Sequence, residues 1–166
     1  MLVYHPAFDI YHGVLRILKL LISLPQEEVE IEKLKILNFY FLFPELISQI
    51  RLSRTHQKYK KLSTTGNKYN VASVSGQEKQ VFVRIEPFNE IILAYLETKN
   101  YIKIHEIYLE FFATKLPKET FELCKIKDDE KELIDFLSKV LASYQIRGTD
   151  GLKARTGLLE FKYDDV

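Results

Sequence analysis

The chain has one cysteine, Cys124, so no intramolecular disulfide can staple it, and a reducing compartment, the cytoplasm, is the expected setting. Glycine and proline are scarce, 6 and 5 in 166 residues, beside abundant Leu, Ile, Glu and Lys, which points to a mostly helical fold. Long apolar runs are missing as well. The strongest early one, Val14 to Leu24, is interrupted by Arg16 and Lys19 and is too short to cross a bilayer. The opening Met1-Leu-Val-Tyr-His-Pro6 lacks the basic start and small-residue cleavage site of a signal peptide, so a soluble chain with no membrane partner is expected. Catalytic signatures are absent: there is no Walker A loop, dinucleotide fingerprint, nucleophile elbow, paired-histidine metalloprotease motif or cysteine pair. Gly148 and Gly151 precede a tail rather than joining a strand to a helix, which argues against a phosphate-cradling loop. The expectation is a protein without catalytic residues or cofactor.

The most informative absence is local. From Leu46 to Gln77 the chain runs 32 residues without Asp or Glu, while carrying Arg51, Arg54, Lys58, Lys60, Lys61 and Lys68. In a chain of net charge +1, this gap marks a basic segment suited to acidic partners. Ser53, Ser63, Thr64, Thr65, Gly66, Asn67 and Asn70 give it the composition of a connection. Its functional reading is phosphate contact, with Tyr59 and Tyr69 available for stacking; its plain reading is a solvated loop. Arg147, Lys153 and Arg155 form a second small basic group.

What is present is core material. Hydrophobic residues make up 46 % and charged ones 28 %, a balance that excludes disorder and allows one domain or two small ones sharing a core. The segments read as an N-terminal helix-turn-helix-like unit over 1–53, a basic connector over 54–80, and a C-terminal winged-helix-like unit over 81–166 that ends in a strand.

Spacing predicts a helix over 7–23 with Phe8, Tyr11, Leu15, Leu18 and Ile22 as its stripe. Glu27, Glu28, Glu30 and Glu32 precede a second helix carrying Leu34, Leu37, Tyr40 and Phe41, whose apolar character marks it as core rather than a base-reading element. Pro44 starts a third, with Leu46, Ile47, Ile50 and Leu52. The β-branched content of Val81-Phe-Val-Arg-Ile-Glu86 favours a strand, and Pro87 then opens a helix that ends at Lys99-Asn100. Residues 101–104 are expected to be extended and 105–115 helical; Leu116-Pro117 breaks the run, and a helix from Asp128 ends by Gly148. Leu159, Phe161 and Tyr163 alternate with Glu160, Lys162 and Asp164, the pattern of a one-faced strand. Residues 81–86, or another protein, are its candidate partners, and these three residues are candidate partner-interface positions.

His5, Asp9 and His12 invite a metal reading, but Pro6 pushes His5 toward an extended backbone and no fourth ligand is evident, so a structural role in an N-terminal turn is expected. His56 and His105 lack recognisable companions and read as surface or partly buried residues.

Four segments together carry a family resemblance: Tyr4-His-Pro-Ala-Phe-Asp-Ile-Tyr-His12, Leu37-Asn-Phe-Tyr-Phe-Leu-Phe-Pro-Glu45, Phe82-Val-Arg-Ile-Glu-Pro-Phe88 and Gly151-Leu-Lys-Ala-Arg-Thr-Gly-Leu-Leu-Glu-Phe-Lys-Tyr163. The chain resembles the small middle components of bacterial ABC-three-component systems, which include the Lamassu-type anti-phage and anti-plasmid operons. The resemblance implies a mainly α fold with a small β component, winged-helix-like, with tandem winged-helix units as one arrangement. It implies a non-catalytic accessory subunit that bridges an SMC- or Rad50-like ABC ATPase and an effector, often a nuclease, or DNA. The alternative is a free-standing helix-turn-helix DNA-binding regulator. A small enzyme of another type would instead show a compact polar pocket with convergent titratable groups.

Overall fold

The computed structural model describes residues 6–64 and 76–159. Asp9 opens the first helix, α1 (Ile10–Ser23): its side chain accepts the His12 N–H at 2.9 Å, one of the donors a helix start leaves unpaired. His12 Nδ1 lies 3.1 Å from the same carboxylate, so this pair serves the turn, as expected; His5 lies outside the described residues. The buried face of α1 is Gly13, Ile17, Leu18, Leu20 and Leu21, rotated from the predicted stripe. Tyr11 is 58 % exposed and Phe8 39 %. The reason is that α1 packs on two helices at once, which widens and turns its apolar arc.

A three-residue strand, β1 (Glu28–Glu30), leads into α2 (Ile31–Leu42). Helix α2 buries seven of its residues on nearly all sides, which is why its amphipathicity is weak and its role is core. After Phe43 the chain tightens into a 3₁₀ helix, Pro44–Gln49, with Pro44 in its first turn as expected; the predicted apolar set Leu46, Ile47, Ile50 and Leu52 is buried. A second 3₁₀ helix, Arg54–Thr64, follows.

Helix α3 (Glu78–Thr98) corrects the expectation of a strand at 81–86 and of a start at Pro87. Phe82, Ile85, Asn89, Ile92, Leu93 and Leu96 are buried at three-to-four spacing, and that burial outweighs the β preference of Val81 and Val83. Pro87 sits inside the helix on its exposed side and, having no N–H, cannot donate to the Val83 carbonyl one turn back. The helix ends where predicted. Asn100 takes φ +58°, and the Tyr101 N–H reaches back to the Leu96 carbonyl at 3.0 Å.

Strands β2 (Ile102–His105) and β3 (Tyr108–Phe111) form a hairpin, overturning the helix expected over 105–115. Ile102, Leu109 and Phe111 are buried, a period-two pattern. The turn is closed by Glu106 at φ +53°. β3 is central in an antiparallel sheet of order β1-β3-β2, with Val29 opposite Leu109 and Ile104 opposite Leu109 on the other edge. A strand from the first fifty residues thus pairs with one from the last sixty.

Beyond Pro117, α4 (Lys118–Leu123) precedes α5 (Lys131–Asp135), which runs on through a π turn, Phe136–Val140, and a 3₁₀ turn, Leu141–Ser143. A short α6 (Leu152–Thr156) is capped by Gly157 at φ +67°. Residues 157–159 pair with no strand, residues 81–86 are helical and cannot partner one, and residues 160–166 lie outside the described residues. The architecture is mainly helical with one small antiparallel sheet.

One hydrophobic cluster draws on all three sequence segments, with Leu18, Phe39, Leu62, Phe82, Leu96, Leu109, Phe136 and Leu152 among its members. Inside it, α1, α2 and α3 are tied by polar contacts: Arg16 Nε donates to Asn38 Oδ1 at 3.3 Å, and Asn38 Nδ2 donates to Asn89 Oδ1 at 3.0 Å. Gly13 sits at the α1–α3 approach, where an added Cβ would lie 2.4 Å from Ile92 Cδ1. Among the described residues, no helix is long and apolar enough to cross a membrane.

Candidate functional site

The described part of the basic segment, as far as Thr64, is built into the core. A 3₁₀ helix has three residues per turn, so side chains three apart stack in columns. In Arg54–Thr64 the inward column is His56, Tyr59 and Leu62. Leu62 is buried, and the Tyr59 ring lies against Phe136 with centroids 5.1 Å apart. His56 Nδ1 is 2.7 Å from the Tyr144 hydroxyl and 3.0 Å from Ser53 Oγ, and the Ser53 N–H donates to the same Tyr144 oxygen at 3.0 Å. Gln57 Nε2 donates to the Leu52 carbonyl at 2.7 Å. The remaining columns, Arg54-Gln57-Lys60-Ser63 and Thr55-Lys58-Lys61-Thr64, turn outward and carry the cations.

The predicted contact residues divide by what they touch. Arg54 and Lys58 are exposed, Lys60 is half-buried, and none of the three has an ion-pair partner among the described residues. Lys58 Nζ lies 5.2 Å from the Tyr59 ring centre. Lys61 pairs with Glu132 at 2.7 Å, and Arg51 with Asp150 at 3.6 Å while donating to the Thr149 carbonyl; both pairs are exposed and weakly held. Lys68 lies outside the described residues. Five of the six thus lie on one described stretch, from Arg51 to Lys61.

The second basic group behaves differently. Arg147 is exposed, but Lys153 is buried and paired with Glu32 at 3.0 Å. The Arg155 guanidinium lies 4.4 Å above the Tyr144 ring centre, donates to the Asp150 carbonyl at 2.6 Å and also donates to the Arg51 carbonyl. Lys153 and Arg155 hold α6 against α2 and against the start of the basic segment, so neither is free for an external partner. Sequence reading did not find Tyr144 as the post on which His56, Ser53 and Arg155 converge; an isolated tyrosine gives no pattern to find.

Of the tail residues, Leu159 is half-buried beside Phe82, Val83, Lys35 and Glu86 in an open pocket. Phe161 and Tyr163 lie outside the described residues. Lys35 bridges Glu86 and Glu90 from α2 to α3. Burial pulls its ammonium down, but the hydrogen bonds and charges of both glutamates outweigh that and leave its pKa raised. Glu90 is held below the usual carboxylate range, first by the hydrogen bond from Lys35. Among the described residues, no three His, Cys, Asp or Glu side chains converge as a metal site would require.

A family model described as ABC-three component (ABC-3C) system Middle Component 5 matches residues 2–164, nearly the whole chain. The chain belongs to this family. No curated protein and no solved structure matches it. As a middle component it is one part of a multi-component system, and its partners are that system's other components.

Proposed function

We propose that this middle component is a non-catalytic accessory subunit of an SMC- or Rad50-like ABC ATPase complex in bacterial anti-phage or anti-plasmid defence of the Lamassu type. It works in the cytoplasm, bridges the ATPase to an effector nuclease, and turns its basic helix to DNA held by the complex. The observation that carries the reading is the family match across 2–164. The rigid seating of Arg54, Lys58 and Lys60 supports the DNA contact, because cations held on a fixed backbone lose less freedom when phosphates bind. Leu159, with Phe161 and Tyr163, belongs to the partner-facing side in this reading.

The order α1, β1, α2, α3 and the β2–β3 hairpin, with β1 beside β3, supports a winged-helix unit that carries the basic segment between its second and third helices. In a free-standing DNA regulator the helix before the hairpin would offer polar base-reading side chains. The outward face of α3 instead shows Val83, Pro87 and Ile91, which disfavours that alternative.

Co-expression of the chain with the ATPase and effector encoded beside it, followed by pull-down on a tagged ATPase, tests the proposal. Retention of the chain at moderate salt is the expected result; its loss would reject the subunit reading.

A further inference from the structure

A helix reads DNA sequence with amides and hydroxyls as well as with cations, and on the basic 3₁₀ helix Arg54–Thr64 those neutral groups are tied back to the chain itself. Gln57 gives its Nε2 to the Leu52 carbonyl at 2.7 Å. Ser63 Oγ donates to the Lys60 carbonyl at 2.8 Å and Thr64 Oγ1 to the Lys61 carbonyl at 2.7 Å, so each hydroxyl spends its single proton within the helix. Thr55 Oγ1 lies 3.1 Å from Ser53 Oγ. Tyr59, which the sequence offers for stacking, packs its ring on Phe136 with the Lys58 ammonium 5.2 Å from the ring centre.

The seating of the helix limits its reach as well. One of its three columns, His56-Tyr59-Leu62, is turned into the protein, and the preceding 3₁₀ helix, Pro44–Gln49, packs against it. A helix that reads base edges enters a major groove about 8.5 Å deep. One sunk along a third of its circumference cannot enter that far and lies across the phosphates instead. What remains free on it is charge: Arg54, Lys58 and Lys60, without ion-pair partners among the described residues. At 2.0 Å per residue these three spread over about 12 Å of helix axis. A duplex carries roughly seven phosphate charges over that length, one per 1.7 Å, whatever its sequence.

We propose that the basic helix is blind to sequence: Arg54, Lys58 and Lys60 meet DNA through its phosphate oxygens alone, and no residue of this helix reads a base. The inference rests on the reading that this helix faces DNA in the assembled complex. It adds which part of the DNA is recognised, and it leaves any choice of sequence to other components.

The test uses the assembled complex and two duplexes of equal length, one all A·T and one all G·C, at fixed salt. Replacing Arg54, Lys58 and Lys60 together with Ala should lower affinity for both duplexes by the same factor, within about twofold. Arg54→Lys keeps the charge and removes the guanidinium fork, so it should leave affinity for both duplexes unchanged. A bidentate base contact discriminates roughly five-fold or more. A loss that differs by that much between the duplexes, in either variant, means that the helix reads bases; it overturns the proposal and leaves the DNA contact standing. A triple variant that assembles normally and binds both duplexes as tightly as wild type overturns the DNA contact itself, and this proposal with it. Melting temperatures of the isolated variants equal to wild type show that the losses belong to binding and not to folding.

Discussion

The Tyr144 hydroxyl lies 2.7 Å from His56 Nδ1 although 88 residues separate the two, and this contact fastens the basic 3₁₀ helix to the end of the α5 segment. The same oxygen accepts the Ser53 N–H, so one hydroxyl satisfies groups at the helix start that would otherwise compete for water. Tyr144→Phe keeps the ring under Arg155 and removes the hydroxyl alone. The expected loss is about 1–3 kcal/mol of stability in chemical denaturation. Amide exchange should quicken over residues 54–64 more than in α2; uniform quickening would mean that Tyr144 supports the whole core instead of this helix.

The cations on that helix should act on nucleic acid through charge. Replacing Arg54, Lys58 and Lys60 together with Ala is expected to leave folding unchanged, since none has an intramolecular ion pair among the described residues. In the assembled complex, the slope of log affinity for DNA against log salt should shrink by roughly 0.7–0.9 for each lost contact. Lys153→Ala is the contrasting case: it empties a buried position paired with Glu32 and should lower the melting temperature without altering that slope. An unchanged slope in the triple variant would make the segment a structural strut only.

Much of this fold was legible in the sequence where a single physical rule acted alone. The stop of α2 before Pro44, the left-handed Asn100 after α3 and the break at Pro117 each follow from one residue's backbone preference. Other elements were hidden because two rules competed or no signal existed. Val81, Val83 and Ile85 alternate like a strand, yet Phe82, Ile85 and Asn89 also keep helical spacing, and only tertiary burial decides between them. The β2–β3 turn takes its positive φ at Glu106, where no Gly, Asn or Asp announces a hairpin. In the basic segment, the spacing of His56, Tyr59 and Leu62 is a period of three, which a search for periods of two or 3.6 passes over. The site's cations were therefore found by composition, while their anchoring was not.

Gly151 should resist substitution for a reason unrelated to φ. A Cβ there would lie 2.1 Å from the Arg147 carbonyl oxygen and 2.8 Å from that of Ile146, both backbone atoms that cannot swing aside. The close approach lets the Leu152 N–H reach the Gln145 carbonyl at 2.8 Å and seats α6. Gly151→Ala is expected to cost about 1–3 kcal/mol, as overpacked sites do. Gly148→Ala meets no atom within 4 Å and carries only the strain of φ +89°, so thermal melts should rank it as the milder change.

The Lys35 bridge gives stability a pH signature whose sign is fixed by the two shifts. Glu90 is depressed by its hydrogen bond from Lys35, so its contribution is present above the unfolded carboxylate pKa and is lost as pH falls through the lower folded value. Lys35 is raised, so its contribution is full below the unfolded lysine pKa and is lost as pH climbs through the higher folded value. Between these limits the α2–α3 bridge is intact. The Lys35→Met variant removes the cation while filling the same space, which should flatten both the acid and the alkaline limb of the unfolding free energy measured against pH. Glu90 is largely exposed, and solvent screening keeps its share of the acid limb small. The alkaline limb is the sharper readout, because Lys35 itself is only 12 % exposed. If the alkaline limb of Lys35→Met overlays that of wild type, the bridge contributes nothing to the stability of the fold.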